Sequence, residues 1–265
     1  MNAVFTLNKA KIRQSFGAAS ASYDTVARLQ RTVGRQLLKT GRLCGVSGTI
    51  LDLGCGTGFL TAGLLQFTRV EHVLALDMAL PMLQKTRQRL KGATAVSYLC
   101  ADAEHLALAP DSMDRIFSNL ALQWCRDLPT VFSACRTILK PGGALVFSTF
   151  GPQTLGELKQ AWAQVDTCNH VNAFYEANEL IRFLTAAGFT GIQLETRCLR
   201  PAYPSVLALM QELKAIGARN AANGRNKQIT SKRQMQQMIA AYPESEREAI
   251  YATFEVISVL ARVPE

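Results

Sequence analysis

The sequence predicts an α/β fold built on a parallel sheet covered on both faces. Three observations predict it. Apolar runs of five or six residues recur through the middle of the chain, helical patterns separate them, and a glycine-rich turn joins the first run to the first of those helices. Parallel strands buried on both faces read as near-continuous apolar runs rather than alternating ones, and crossover helices must lie between them.

The N-terminal stretch "KIRQSFGAASASYDTVARLQRTVGRQLLKT" reads as two helices broken near Gly17 to Ser22. They precede the first strand, so they lie against the outside of the sheet. Both a packing pair and a lid over a ligand crevice fit them. The strands expected next are "TILDLG" (49–54), "HVLALD" (72–77), "VSYLCA" (96–101), "RIFSN" (115–119) and "ALVFST" (144–149). Between them "GFLTAGLLQFT", "ALPMLQKTRQRLK" and "LPTVFSACRTILK" read as helices, the last ended by "KPGG" at 140–143. Helices near 154–166 and 176–187, a sixth strand over 191–199, helical patterns near 204–216 and 230–241, and a β-rich end over 249–262 complete the reading.

Composition bounds the function. At 265 residues, 48% hydrophobic and 18% charged, the chain fits one domain with a sizeable core. No apolar run approaches the ~20 residues of a membrane span, and "MNAVFTLNKAKIRQSF" carries no apolar signal region, so a cytoplasmic protein is expected. The seven cysteines include no CxxC pair, and the three histidines show no ligand spacing with them. Buried reduced thiols are expected, and neither a disulfide framework nor a metal site. The net charge of +9 is concentrated: residues 1–50 hold eight Lys/Arg against Asp24, and residues 211–233 hold six against Glu212. Two basic regions on a near-neutral body point to an anionic partner. The basic residues lack the aromatic interleaving of single-strand readers and no recognition motif accompanies them, which argues against nucleic acid.

"LDLGCGTGFL" (51–60) ends a strand and opens a helix. Gly54 and Gly56 allow a tight turn and close backbone approach to a ligand, and Gly58 allows close helix–strand contact. A pyrophosphate would sit at such a helix N-terminus. Asp52 beside the loop disfavours two phosphates and suits a cationic amino-acid end, as in S-adenosylmethionine. Asp77 follows Gly58 by 19 residues, where an acid can hold both ribose hydroxyls. Asp102, after the third strand, can accept from an adenine amino group. Three acids at strand C-termini converge on the crevice where ligands of such sheets bind.

"LDLGCGTG", "ALDMALPML", "ADAEHLAL", "NLALQWC" and "ILKPGGALVFSTF" resemble the successive motifs of the class I S-adenosylmethionine-dependent methyltransferases. More narrowly, "KIRQSFGAASASYD", "FSTFGPQTLGELKQAW" and "LKAIGARNAANGR" resemble the malonyl-acyl-carrier-protein O-methyltransferase family of biotin synthesis, over nearly the whole chain. The resemblance implies a Rossmann-like, mostly parallel seven-stranded sheet with a reversed last strand. It implies one domain: an N-terminal helical segment (1–45), a cofactor-binding core (46–200), a helical lid insertion (201–248) and a final strand (249–262). It places Asp52, Gly54, Gly56 and Gly58 at the methionine end of S-adenosylmethionine, Asp77 and Met78 at the ribose, Asp102 and Ala103 at the adenine, and Asn119 and Leu120 beside the sulfonium. The implied partner is acyl carrier protein bearing a malonyl group. A small-molecule carboxylate or quinone-precursor methyltransferase is the alternative on the same fold.

A malonyl carboxylate is already ionised at neutral pH, so the implied reaction needs no general acid or base. It needs a clamp, positioning and a dry site. Tyr23, Gln123 and Trp124 are candidates to line the acyl pocket, with Trp124 equally readable as core. Arg219 and Arg225 are the candidate carboxylate clamps, since a guanidinium fits a carboxylate bidentately. Arg13 and Arg182 are held in reserve, and Lys214 belongs to the same basic segment.

Overall fold

The computed structural model describes residues 7–43, 45–218, 230–243 and 249–265. Seven strands form one sheet: β1 (Gly48–Leu53), β2 (Val70–Asp77), β3 (Val96–Cys100), β4 (Met113–Asn119), β5 (Leu139–Phe150), β6 (Thr190–Leu199) and β9 (Phe254–Arg262). The order is β3-β2-β1-β4-β5-β9-β6, with β9 antiparallel to both of its neighbours and every other pairing parallel. The reversed last strand therefore inserts beside β5, as expected. A further pair of two-residue strands, β7 (Ala202–Tyr203) and β8 (Ile250–Tyr251), lies apart from this sheet.

The apolar runs are explained by burial on both faces. On β4, Ile116 enters the cluster under α6 (Leu128–Ile138) and α8 (Ala177–Ala186), while its neighbour Phe117 enters the opposite cluster with Val33 and Leu37 of α3 (Arg28–Leu43). Successive strand residues point to opposite faces, so both must be apolar when both faces are covered. Strand order reverses between β1 and β4, and the crevice outside the C-terminal ends there is where the acids Asp52 and Asp77 stand.

Two local expectations change. The strand expected at 144–149 begins earlier and takes in "KPGG", the segment that ends the preceding helix. α6 stops at Ile138, and β5 begins at Leu139 and absorbs the segment as an irregularity with Gly142 at φ +69° and a register shift against β4. The N-terminal break falls at Ser20 to Ser22 and again at Ala27, giving α1 (Lys9–Ala19), α2 (Tyr23–Val26) and α3. Gly17 lies inside α1, where a Cβ would meet Pro81 at 3.4 Å. Gly17 therefore faces the neighbouring helix α5 (Leu80–Arg89) at ordinary contact distance and forms no turn.

A third, smaller core sits above the crevice. Leu158, Ala161 and Trp162 of α7 (Gly156–Ala163) pack with Val206 and Leu209 of α9 (Val206–Ala215), Met238 of α10 (Lys232–Ala240), and Phe254 of β9. The segment between β6 and β9 is thus tied to the sheet through α7. Among the described residues no helix is long and apolar enough to cross a membrane.

Candidate functional site

The turn after β1 is shaped by where glycine is unavoidable. Gly54 has φ +79°, and a Cβ there would lie 2.3 Å from the Cβ of Ala121. Gly58 caps α4 (Phe59–Leu64) at φ +82°, where a Cβ would lie 2.7 Å from Thr86 Cγ2. Gly54 therefore lets the turn after β4 close over the loop, and Gly58 lets the loop touch α5. Gly56 has only open space where its Cβ would be.

Asp52 is 1% exposed. Its Oδ2 accepts from Thr61 Oγ1 at 2.5 Å, while its Oδ1 is buried without a hydrogen-bond partner. Burial pushes this carboxyl up to about 7, with Thr61 opposing and Asp77 adding. Asp77 accepts from the backbone N–H groups of Gly56 at 2.9 Å and Ala79 at 2.8 Å. Burial pushes it up to about 6 against those two bonds. Asp102 is different. Burial raises it, but Lys9 Nζ at 2.8 Å and the Glu104 N–H at 3.1 Å outweigh that and hold it below the ordinary carboxylate range.

Two N-terminal residues missed in the sequence close the site from above. Lys9 bridges Asp102 and Glu104, at 2.8 and 3.0 Å, and pins α1 over the end of β3. Asp24 accepts from Thr57 Oγ1 at 2.7 Å and from Arg89 Nη2 at 2.6 Å, and pins α2 across the glycine loop. Nothing local marked Lys9. Asp24 did carry a signal, being the single acid in the basic first fifty residues. The packing and lid roles are divided between the helices: α3 buries Val33 and Leu37 against the sheet, while Lys9, Ile12, Phe16 and Tyr23 line the cavity below.

That cavity, of about 680 Å³, is lined by the glycine loop, Asp77, Met78, Asp102, Ala103, Asn119, Leu120 and Trp124. A smaller one of about 410 Å³ continues from it past Asp52, Gly54, Gly56 and Tyr23. These cavities bring together the predicted residues Asp52, Gly54, Gly56, Asp77, Met78, Asp102, Ala103, Asn119 and Leu120, whereas Gly58 lines neither and serves the contact with α5. Asn119 is held rigidly: its Nδ2 donates to the Gln30 carbonyl at 3.0 Å and its Oδ1 accepts from Ser148 at 3.0 Å. Leu120 has φ +49° with its N–H bonded to Ser148, a strained backbone that packing must hold in place.

A second cavity, of about 730 Å³, shares Phe16, Tyr23, Leu120 and Trp124 with the first. Its other walls are mainly apolar, from Phe150, Leu158, Phe174, Leu213 and Ile216. Trp124 meets Phe16 edge-to-face at 5.3 Å, so this tryptophan forms a wall between the cavities and is more than core. Gln123 lines the second cavity, but its Nε2 donates to the Leu120 carbonyl at 2.8 Å, which makes it a brace for the strained turn. Tyr23 lines all three cavities. Burial and the neighbouring Asp77 and Asp24 push its phenol above the ordinary range, so it stays protonated and can donate.

The structure places three of the predicted cations. Lys214, Arg13 and Arg182 are exposed and line neither cavity, and Arg219 and Arg225 lie outside the described residues. Among the described residues lining the second cavity, none is Lys or Arg. The thiols also divide. Cys55, Cys125 and Cys135 are buried, whereas Cys100 and Cys198 are exposed, so burial does not extend to every cysteine. Burial pushes the Cys125 and Cys135 thiols up to about 12, leaving them inert. No group of three potential metal ligands occurs among the described residues.

A methyltransferase domain model matches residues 51–147. A malonyl-[acyl-carrier protein] O-methyltransferase of Methylococcus capsulatus is 45% identical over 258 residues, covering 96% of this chain and 94% of that one. A biotin biosynthesis bifunctional protein BioHC of Cellvibrio japonicus is 41% identical over 252 residues, covering 94% of this chain and 49% of that one. Among solved structures, YcgJ from Bacillus subtilis matches with a TM-score of 0.64 at 17% identity, over 88% of this chain and 99% of that one. A phosphoethanolamine N-methyltransferase 2 of Haemonchus contortus, solved with S-adenosyl-L-methionine, matches with a TM-score of 0.54 at 17% identity, over 87% of this chain and 53% of that one. At such identities these structures speak to the fold.

Proposed function

The chain belongs to the malonyl-[acyl-carrier protein] O-methyltransferases, and from that premise we propose how its two adjoining cavities divide the reaction. The enzyme methylates the free carboxylate of a malonyl thioester in biotin synthesis. The acid-flanked cavities take S-adenosylmethionine, and the apolar cavity takes the malonyl end of a carrier-protein arm. The observation that carries this reading is the seam of Tyr23, Leu120 and Trp124, which both large cavities share.

The residues present fit the methyl donor. The unpartnered Oδ1 of Asp52 is a buried acceptor awaiting a cationic group, and an amino-acid ammonium supplies one. Gly56 leaves room for close backbone approach. Asp77 offers its carboxylate to ribose hydroxyls, and Asp102, steadied by Lys9, faces the adenine end. Asn119 and Leu120 form the floor at the seam. S-adenosylmethionine supplies an electrophilic methyl on a sulfonium, and its transfer to a carboxylate oxygen moves no proton. The chain's task is then to exclude water and to place that oxygen at the seam, and positioning of this kind can lower a barrier by ~7–11 kcal/mol. The Tyr23 phenol is a donor at the seam and the aromatic walls keep it dry. Lys214 on the exposed side of α9 suits an acidic carrier surface better than a buried carboxylate. Arg219 and Arg225 remain sequence-based candidates for the clamp.

Incubation with methyl-labelled S-adenosylmethionine tests the assignment. Malonyl-carrier protein is expected to gain a base-labile methyl, and acetyl-carrier protein none. Transfer to free small carboxylic acids, with none to malonyl-carrier protein, would replace this reading with the small-molecule one.

A further inference from the structure

His170 has no role in the scheme above, yet it lines the acyl cavity on the wall that the donor cavity does not share. The ring is fixed on two sides. It stacks flat on Trp162 of α7, centroids 3.7 Å apart at 5°, and its Nε2 lies 2.9 Å from Asp166 Oδ1. Asp166 is an acceptor only. Burial opposes its ionisation, but the Cys168 N–H and His170 outweigh that and hold it below the ordinary carboxylate range. The proton must therefore sit on Nε2, and in a neutral imidazole so arranged Nδ1 is an acceptor. No hydrogen bond engages Nδ1 among the described residues. The free face and the Nδ1 edge are what the ring has left to present to the cavity.

Geometry decides what meets it. The malonyl carboxylate must reach the seam, so the thioester and the arm behind it run along the unshared wall. The first hydrogen-bond donor on a phosphopantetheine arm is the amide N–H two carbons beyond the sulfur. We propose that His170 is a specificity-determining residue whose Nδ1 accepts a hydrogen bond from this amide N–H. Asp166 sets the tautomer and Trp162 sets the plane. The inference rests on the proposed function and deepens it: recognition of the acyl acceptor extends to the arm, not only to the malonyl group.

The test pairs enzyme variants with two carrier proteins. One carries the natural malonyl arm. The other carries an arm whose amide nearest sulfur is replaced by an ester, which removes the N–H and little else. Wild-type kcat/KM is expected to fall about tenfold on the ester arm, the scale of one hydrogen bond. His170→Ala is expected to fall about tenfold on the natural arm and to show no preference between the arms, with S-adenosylmethionine affinity unchanged. His170→Asn puts an amide oxygen near the Nδ1 position and should keep the preference. His170→Gln reproduces only the Nε2 side and should lose it, so this pair carries the test if the alanine variant does not fold. A wild type without arm preference, or a preference that survives in His170→Ala or His170→Gln, overturns the inference. Failure of the wild type to methylate any malonyl carrier would instead sink the function on which it rests.

Discussion

The affinity for S-adenosylmethionine should rise about tenfold per pH unit between pH 6 and 7 and level off above about 7. The cause is the pair of buried acids under the glycine loop. In the ligand-free protein, burial lifts Asp52 to about 7 and Asp77 to about 6. A cationic ligand binds their ionised forms, so binding releases the protons these groups still hold. More protons are held at lower pH, and affinity therefore falls as pH falls. Titration calorimetry in buffers of different ionisation enthalpy reads the released protons directly. Asp52→Asn should weaken binding at pH 7.5 by about tenfold or more and remove the step near pH 7. Stability without ligand moves the other way. Raised carboxyl pKa values stabilise the fold below the ordinary carboxylate range, and that contribution is lost as pH climbs through about 6 to 7. An affinity independent of pH from 5 to 7.5 would remove Asp52 from the site.

Replacing Tyr23 with alanine should lower kcat/KM on malonyl-carrier protein by about a hundredfold or more. Tyr23 lines all three cavities described above, so alanine opens the seam to water and removes a phenol donor from it. Tyr23→Phe separates the two contributions. It keeps the wall and removes only the hydroxyl, and should cost about tenfold. Because burial, Asp77 and Asp24 hold the phenol in its protonated form, the wild-type rate should show no ionisation of Tyr23 near neutrality. Steady-state rates at saturating methyl donor measure both variants. Full activity of Tyr23→Ala would place the acyl end elsewhere.

What the sequence disclosed depended on whether the cause was local. The strands were legible because burial on both faces demands apolar runs, and Ile116 and Phe117 answer that demand side by side. The acids were legible because strand C-termini are where such sheets bind ligands. The end at 249–262 read as one strand but is two, because Thr253 is taken out of the ladder. Glu157 accepts its N–H at 3.0 Å and its hydroxyl at 2.6 Å, and the Leu155 N–H donates to its carbonyl at 2.7 Å. A glutamate nearly a hundred positions away leaves no mark on the local pattern. Lys9 on Asp102 is the same kind of case, 93 residues apart. His170 is different, since its partners Trp162 and Asp166 lie close before it in the chain, but no spacing marks the ring and only the turn after α7 folds it onto both. The cationic clamp was expected on chemical grounds at Arg219 and Arg225, which lie outside the described residues, and the described wall of the acyl cavity includes a phenol and an imidazole.

Methyl donor and acyl acceptor are predicted to meet at the seam that both large cavities share. The structure of the complex with S-adenosylhomocysteine and malonyl-pantetheine measures this directly. The malonyl carboxylate is predicted to lie between Tyr23, Leu120 and Trp124, facing the sulfur, with the arm passing His170. A carboxylate bound outside that seam, or a nucleoside away from Asp77 and Asp102, would contradict it.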